Sequence, residues 1–548
     1  MRIRYLDREY TYETPVTLDD FLKRTAPAAE ETIYACLDRG ELLERIDPVP
    51  DGAVLTPVTY RDEVGRRIYE RTLRFVMLLA MHRLFPASTV RVEHSISHGI
   101  FLRLLDRRLT RKDLEAVDGE MRRIIADDLP FKRFIWSKEK IIRWFSENHE
   151  EERSRILSFQ PDQSFKVYQC DDLIEYSYGP VAPSTGYAEV FALRLLTPGI
   201  AMMLPAKEAP HIPAPYVSRP KNVAAFAESN RWCQIMGLNN AADVNDAITG
   251  GRFRELIRVN EALHDKSIAD IADGIRDKGS KAVFIAGPSS SGKTTFANRL
   301  RIHLKVLGLD PVIISLDDYY RPKNEVPLGP DGKPDLETPQ ALDLPRLRKN
   351  VSQLLNGLPA VIPHYDFKTG LRNDNGRLLT PAKDRIVIFE GIHALNSLLF
   401  RGLTGKVFTR IYISELTCLN IDNHNRIRTT EARLLRRLVR DHSFRNTPFM
   451  DTLDMWPSVR DGEEKWIFPY QEKVDYVFNS VLHYELPILK RHIFDVLRAV
   501  TPDQKDYLMA QRLKNLLQYF LDAPEDAEAE VPPLSILREF IGGNTFYQ

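Results

Sequence analysis

The sequence predicts an α/β protein whose main unit is a parallel sheet covered on both faces by helices. Three observations carry that reading. The apolar runs AVFIA (Ala282–Ala286), VIISL (Val312–Leu316), RIVIFE (Arg385–Glu390) and RIYIS (Arg410–Ser414) alternate with helical segments, and continuous apolar strands are the ones buried on both faces. The octapeptide GPSSSGKT (287–294) leaves the first of these strands and opens the helical stretch TFANRLRIHLKVLG. At 548 residues the chain exceeds what one core holds, so several domains are expected.

The elements follow in order. Residues 1–60 read as a small mixed domain: RIRYLDREYTYE alternates like a hairpin, TLDDFLKRTA is a helix that Thr17 can cap, and Asp51-Gly52 marks a turn. From Glu63 a helix runs through GRRIYERTLRFVMLLAMHRLF, and strands and helices alternate to about Leu204, giving an α+β domain over 61–204. Residues 205–222 hold five prolines and read as a linker; with the helical stretch that follows they form a connector over 205–275. The sheet unit spans 276–500. A helical tail, 501–548, contains an acidic break, APEDAEAE, that reads as solvated.

Composition removes several classes. Lys+Arg and Asp+Glu are both 76, so no global basic field draws the chain to nucleic acid. Four scattered cysteines (Cys36, Cys170, Cys233, Cys418) form no C-x-x-C pair, which argues against a zinc knuckle or a disulfide framework. The polar start MRIRYLDREYTYE is not a signal peptide, and runs such as FVMLLAM (Phe75–Met81) are too short to span a bilayer. A reduced, cytoplasmic setting is expected.

GPSSSGKT is G-x-x-x-x-G-K-[ST] between strand and helix, the pattern of a phosphate-binding P-loop. Gly287 and Gly292 permit the tight turn. Pro288, Ser289, Ser290, Ser291 and Thr295 complete the cradle, and the helix adds its positive N-terminal end. Lys293 can neutralise β/γ-phosphate charge and Thr294 can offer a hydroxyl to Mg²⁺. ATP and Mg²⁺ are thus the expected cofactors.

Phosphoryl transfer also needs an acid for the metal, a group for the nucleophile and positive charge over the transferred group. Ligands gather at the carboxyl ends of parallel strands. There SLDDYY supplies Asp317 and Asp318, and RIVIFE supplies Glu390. Downstream, Arg433, Arg436, Arg437 and Arg440 recur at helical spacing, with Arg445 beyond. A closing basic segment would stabilise transition-state charge and exclude water; taken alone, the same arginines would be a solvated face.

In order, GPSSSGKTT, SLDDYYRP, IPHYDF, IVIFEGIHAL and RRLVRDHSFR resemble the uridine kinase family, with phosphoribulokinases more distant. The resemblance covers roughly Lys281–Ser480. It implies that Asp317 is the catalytic base near a nucleoside 5′-hydroxyl and also joins the metal shell with Thr294 and Glu390. It implies that Glu337 holds the ribose hydroxyls and that Tyr365 belongs to the nucleoside pocket. Arg437 would sit near the nucleoside and reacting phosphate, Arg440 and Arg445 in an ATP-side lid. The sequence departs from the family at Gly370, where a base-reading His is usual, and at Glu337, usually Asp. The segment after the lid diverges as well.

Residues 1–60 resemble the β-grasp TGS domain of threonyl-tRNA synthetases, and 61–200 their second additional domain, on DEVGRRIYERTLRF and YGPVAPSTGYAEVFALRLL. In synthetases four His/Cys ligands form an editing site there; the matching positions hold Arg71, Phe75, Ser177 and Val181, so editing chemistry is not implied. His94 and His98, in HSISHG, follow a strand-like TVRVE and lack helical geometry for a metal pair.

The leading reading is an ATP-dependent kinase for a uridine- or cytidine-like nucleoside. One alternative is a regulatory nucleotide switch that binds RNA through the N-terminal half, which the neutral net charge does not favour; another is a sugar-phosphate kinase. The acceptor, the choice of ATP over GTP and the oligomeric state stay open.

Overall fold

The computed structural model describes residues 1–26, 31–177, 179–329, 332–366, 369–400 and 407–547. The central sheet has five strands, all parallel, in the order Asp310–Ser315, Arg385–Glu390, Ala282–Ala286, Phe408–Ser414 and Tyr476–Asn479. Side-chain alternation explains the double cover. Val283 and Ile285 join one apolar cluster, with Phe296 of the following helix and Ile268, Ile271 and Ile275 of the long helix Phe253–Lys278. Ala282, Phe284 and Ala286 join another, with Leu316, Leu347 and Phe389. Every residue of the central strand is buried, as the uninterrupted apolar run requires.

The N-terminal sheet is ordered Arg8–Thr11, Arg2–Tyr5, Ala53–Val58, Ala35–Asp38 and Glu41–Glu44, its first and last-arriving strands running parallel. The helix Leu18–Thr25 covers it, and Thr17 caps that helix by accepting from the Asp20 amide at 3.2 Å. Residues beyond carry a four-stranded and a three-stranded antiparallel sheet around the helix Glu63–Leu84.

His94 lies in the strand Val90–Ile96, and the chain turns at Ser97 into Gly99–Leu104, so His94 and His98 do not share a helical face. The four editing positions do structural work. Arg71 donates to the Pro180 carbonyl at 2.8 Å, Phe75 packs edge-on against Phe131, Ser177 donates to the Gly179 carbonyl and Val181 is buried.

The acidic break of the tail is partly exposed, as expected, yet it is also anchored by ion pairs. Asp526 and Glu530 pair with Arg254 and Arg258 of the long helix, Glu528 pairs with His492, and Ala527 is fully buried. This pins the tail and sends its last residues, Ser535–Asn544, back to the P-loop. Among the described residues no helix is long and apolar enough to cross a membrane, and all four cysteines are buried and unpaired.

Candidate functional site

The P-loop leaves the central strand at Gly287 and Pro288. It passes Ser290 at φ 58° and reaches Gly292, the left-handed N-cap of the helix Lys293–Val306. Lys293 Nζ donates to the Pro288 carbonyl at 2.9 Å. Burial lowers its pKa, while the carboxylates of Glu390, Glu539 and Asp317 hold it up. The Ser290 and Ser291 hydroxyls are buried with no partner among the described residues. Orphaned donors in a turn ahead of a helix N-terminus fit a bound phosphate chain.

Two strand ends bring the acids to this loop. The Ser315 hydroxyl accepts from the Asp317 amide at 3.3 Å and turns the chain so that Asp317 faces Lys293. Glu390 ends the neighbouring strand, and Thr294 Oγ1 donates to it at 3.4 Å. Gly391 makes the approach feasible, because a Cβ there would stand 2.7 Å from Leu316 Cβ. Burial, then the Asp317 charge, pushes Glu390 up to about 7. Burial likewise raises Asp317, against the pull of Lys293 and Arg445. Asp318 points away and accepts from His364 and the Tyr365 amide. No group of three or more His, Cys, Asp or Glu among the described residues could cage a metal. A magnesium ion that keeps most of its waters needs only one or two carboxylates beside substrate phosphates, so Thr294, Glu390 and Asp317 fit such an ion with a nucleotide.

Glu337, Tyr365 and Arg437, the residues expected on the acceptor side, flank the P-loop and its acids. Burial pushes Glu337 up to about 7, with Arg437 the leading opposing charge. Tyr365 is buried, its ring 5.7 Å from that of Tyr320, and the Tyr320 hydroxyl feels the Asp317 and Glu337 charges. Phe367 of the same motif lies outside the described residues. Gly370 faces Tyr365 OH and the Lys323 stem. Arg437 donates to Ser289 Oγ at 3.0 Å and pairs with Asp441. Arg440 also binds Asp441, close enough to Lys293 to depress it, while Arg445 is more exposed and bears on Asp317.

Arg433 and Arg436 stand apart from these three arginines. Arg433 is 1% exposed and grips Glu463 with both nitrogens at 2.8 and 2.6 Å. Arg436 is fully buried and binds Glu485 and the Ser480 carbonyl. Both are internal struts.

Several residues at the site had no sequence signal. Glu463, in the divergent segment, accepts from the Ser289 amide at 3.0 Å. His393 is 1% exposed, and burial drops its pKa to about 4, so it is neutral. Glu539, in the tail, accepts from Thr295 Oγ1 at 2.8 Å and from its amide at 3.4 Å. Ile536 presses on Gly292 and Asn544 reaches Thr295. Two P-loop amides are therefore engaged by the chain's own carboxylates.

Residues 282–486 match the Phosphoribulokinase / Uridine kinase family. That span holds every residue assigned above to phosphate, metal or acceptor; Glu539 lies outside it. The N-terminal region is similar to threonine–tRNA ligases. The protein of Anaplasma marginale (strain St. Maries) is 29% identical over 180 residues, 32% of this chain and 28% of that one. The ligase of Carboxydothermus hydrogenoformans is 25% identical over 181 residues, with the same shares. The chain thus spans little more than a quarter of the length of these relatives. Solved structures similar to it include a "Possible Uridine Kinase" from Bacillus stearothermophilus (16% identity, 36% of this chain, 89% of that one, TM-score 0.26). Another is D-glycerate 3-kinase from Cryptococcus neoformans var. grubii (17%, 44% and 78%, TM-score 0.19). The kinase-family domain is thus joined to a synthetase-like half in a single chain.

Proposed function

We propose that this chain is an ATP- and Mg²⁺-dependent kinase that phosphorylates the 5′-hydroxyl of a uridine- or cytidine-like nucleoside by in-line transfer. The observation that carries the reading is the convergence of Asp317, Lys293 and Glu390 on a P-loop whose Ser290 and Ser291 hydroxyls lack partners among the described residues. When bound, Mg²⁺ would supply neutralising charge for the nucleotide's phosphates. Thr294 and Glu390, with Asp317, would hold its shell. Lys293 would stabilise the transferred phosphoryl, and Arg440 and Arg445 would close over the ATP side and exclude water.

Asp317 is the base. Burial raises its carboxyl while Lys293 and Arg445 favour the anion, an opposition that suits proton acceptance near neutral pH. Glu337 would accept from the ribose hydroxyls, Tyr365 would pack beside the sugar or base, and Arg437 would steady the reacting phosphate through its place on Ser289. The N-terminal half is assigned no chemistry, since the editing ligands are replaced.

The test is a panel of nucleosides, sugar phosphates and small alcohols with purified protein, ATP and Mg²⁺, reading ADP formation and identifying the product. A pyrimidine nucleoside 5′-monophosphate is expected. Turnover with none of the panel would defeat the proposal, and turnover with a sugar phosphate alone would move the acceptor to the other class.

A further inference from the structure

A cavity of about 880 Å³ touches the P-loop at Pro288, between the synthetase-like N-terminal region and the kinase-family domain. Its walls come from the start of the helix Glu63–Leu84, the His94–Gly99 turn, the proline-rich linker, Pro288 of the P-loop, and the start of the arginine helix Thr429–Phe444. More Lys and Arg than Asp and Glu side chains line it.

The positive charge is under-compensated. Arg426 and Arg428 share one carboxylate, Glu70. Arg426 is 6% exposed, and its Nε is buried with no partner. Burial lowers Arg426 to about 10, beyond what Glu70 restores; the same holds for Arg512, which shares Glu63 and Glu431 with Arg67. Among the described residues Arg66 donates to the backbone carbonyls of Tyr60 and Arg61 and makes no ion pair. Arg219 makes no ion pair among the described residues, though its guanidinium lies against the Gln471 amide, and burial disfavours its charge too. The arginine helix starts here with no side-chain cap on its first turn. An uncapped helix N-terminus beside guanidinium groups that outnumber their carboxylates favours a multiply charged anion, and guanidinium matches phosphate geometry. The volume is that of a nucleotide-sized ligand, and the stacked pair His94 and Phe226, 4.0 Å apart, supplies an apolar wall.

We infer that this interdomain cavity is a second ligand site, for a small phosphate-bearing metabolite of nucleotide size. The site is wired to the P-loop. Arg433 lines it and grips Glu463, which in turn holds the Ser289 amide. A ligand that draws on Arg433 or the helix start would therefore shift the loop that binds triphosphate. This coupling rests on the proposed kinase reading; the existence of the site does not.

The test titrates inorganic tripolyphosphate into the full chain by calorimetry. Lys293→Ala removes the P-loop's main phosphate contact, and the double variant Arg66→Gln/Arg219→Gln weakens the cavity. Both cavity arginines are half-buried, so the fold should survive, and thermal unfolding checks that it does. Lys293→Ala should keep one binding event. Adding the two cavity substitutions should weaken that event at least ten-fold while leaving unfolding unchanged. Loss of all binding in Lys293→Ala would overturn the inference. So would unaltered binding in the triple variant, or a site that takes a 5′-phosphorylated RNA oligonucleotide but not tripolyphosphate. Because the readout is binding by a P-loop variant, a chain that fails every turnover assay could still pass it.

Discussion

Glu539→Gln should tighten ATP binding. The Glu539 carboxylate accepts from Thr295 Oγ1 at 2.8 Å and from its amide at 3.4 Å, the donors at the first turn of the P-loop helix that a phosphate oxygen would use. A phosphate there would stand about 5 Å from the carboxylate. Two unit charges at that separation repel by ~0.8 kcal/mol in a water-like medium and by ~3 kcal/mol at an effective dielectric of about 20. Glu539 is half-buried, so screening pulls the value toward the lower end. The neutral, near-isosteric Gln should therefore lower the ATP Kd roughly ten-fold, since each ~1.4 kcal/mol is a factor of ten. The substitution is preferable to truncation, because Ile536, Leu537 and Phe540 are buried and their loss would open the core. Calorimetry at low salt reads the effect, and raising the salt should shrink it as charges are screened. Unchanged or weaker affinity in Glu539→Gln would refute the charge argument and make the contact a prop for the P-loop.

Asp317→Asn should cut kcat by at least about 100-fold, the usual share of a positioned base, with ATP affinity measured by calorimetry held within about three-fold; unaltered kcat would reassign the base. Glu337→Gln should raise the acceptor KM about ten-fold and flatten the part of the rise in kcat/KM near pH 7 that Glu337 contributes, Glu390 being pushed into the same range. The wild-type profile should rise through that pH as the buried Glu337 carboxyl, pushed up to about 7, becomes an acceptor for ribose hydroxyls. Glu415→Gln should raise the Tm above pH 6. Glu415 is fully buried, both oxygens lack partners, and burial holds its pKa well above normal. The folded state keeps a proton that the unfolded chain releases, so wild-type stability falls as pH climbs past the ordinary carboxylate range, and the amide should remove that slope. An unchanged Tm-versus-pH curve would count against it.

The strand ends that carry Asp317 and Glu390 were legible because local chemistry and topology agree there. A parallel sheet sends every strand's carboxyl end to one edge, so Asp317 and Glu390 had to emerge beside the P-loop whichever strands were neighbours. Phe284 and Val283 alternate between two cores for the same reason: an all-apolar strand has no solvent face to choose. The arginine helix was only half legible. Helical spacing groups Arg433, Arg436, Arg437 and Arg440, but spacing cannot say which meet buried carboxylates; Glu463 and Glu485 lie 30 and 49 residues downstream of their partners and claim Arg433 and Arg436. The tail was illegible for a related reason. APEDAEAE has the composition of a solvated loop, and only the partner cations Arg254 and Arg258, 272 residues earlier, turn it into an anchor. Once anchored, it brings Glu539 to Thr295. The P-loop is therefore set by local sequence, while the carboxylates that engage its amides come from long-range contacts that no motif records. Substitutions that tune this site without touching its chemistry should accordingly concentrate at Glu463 and Glu539 rather than within GPSSSGKT.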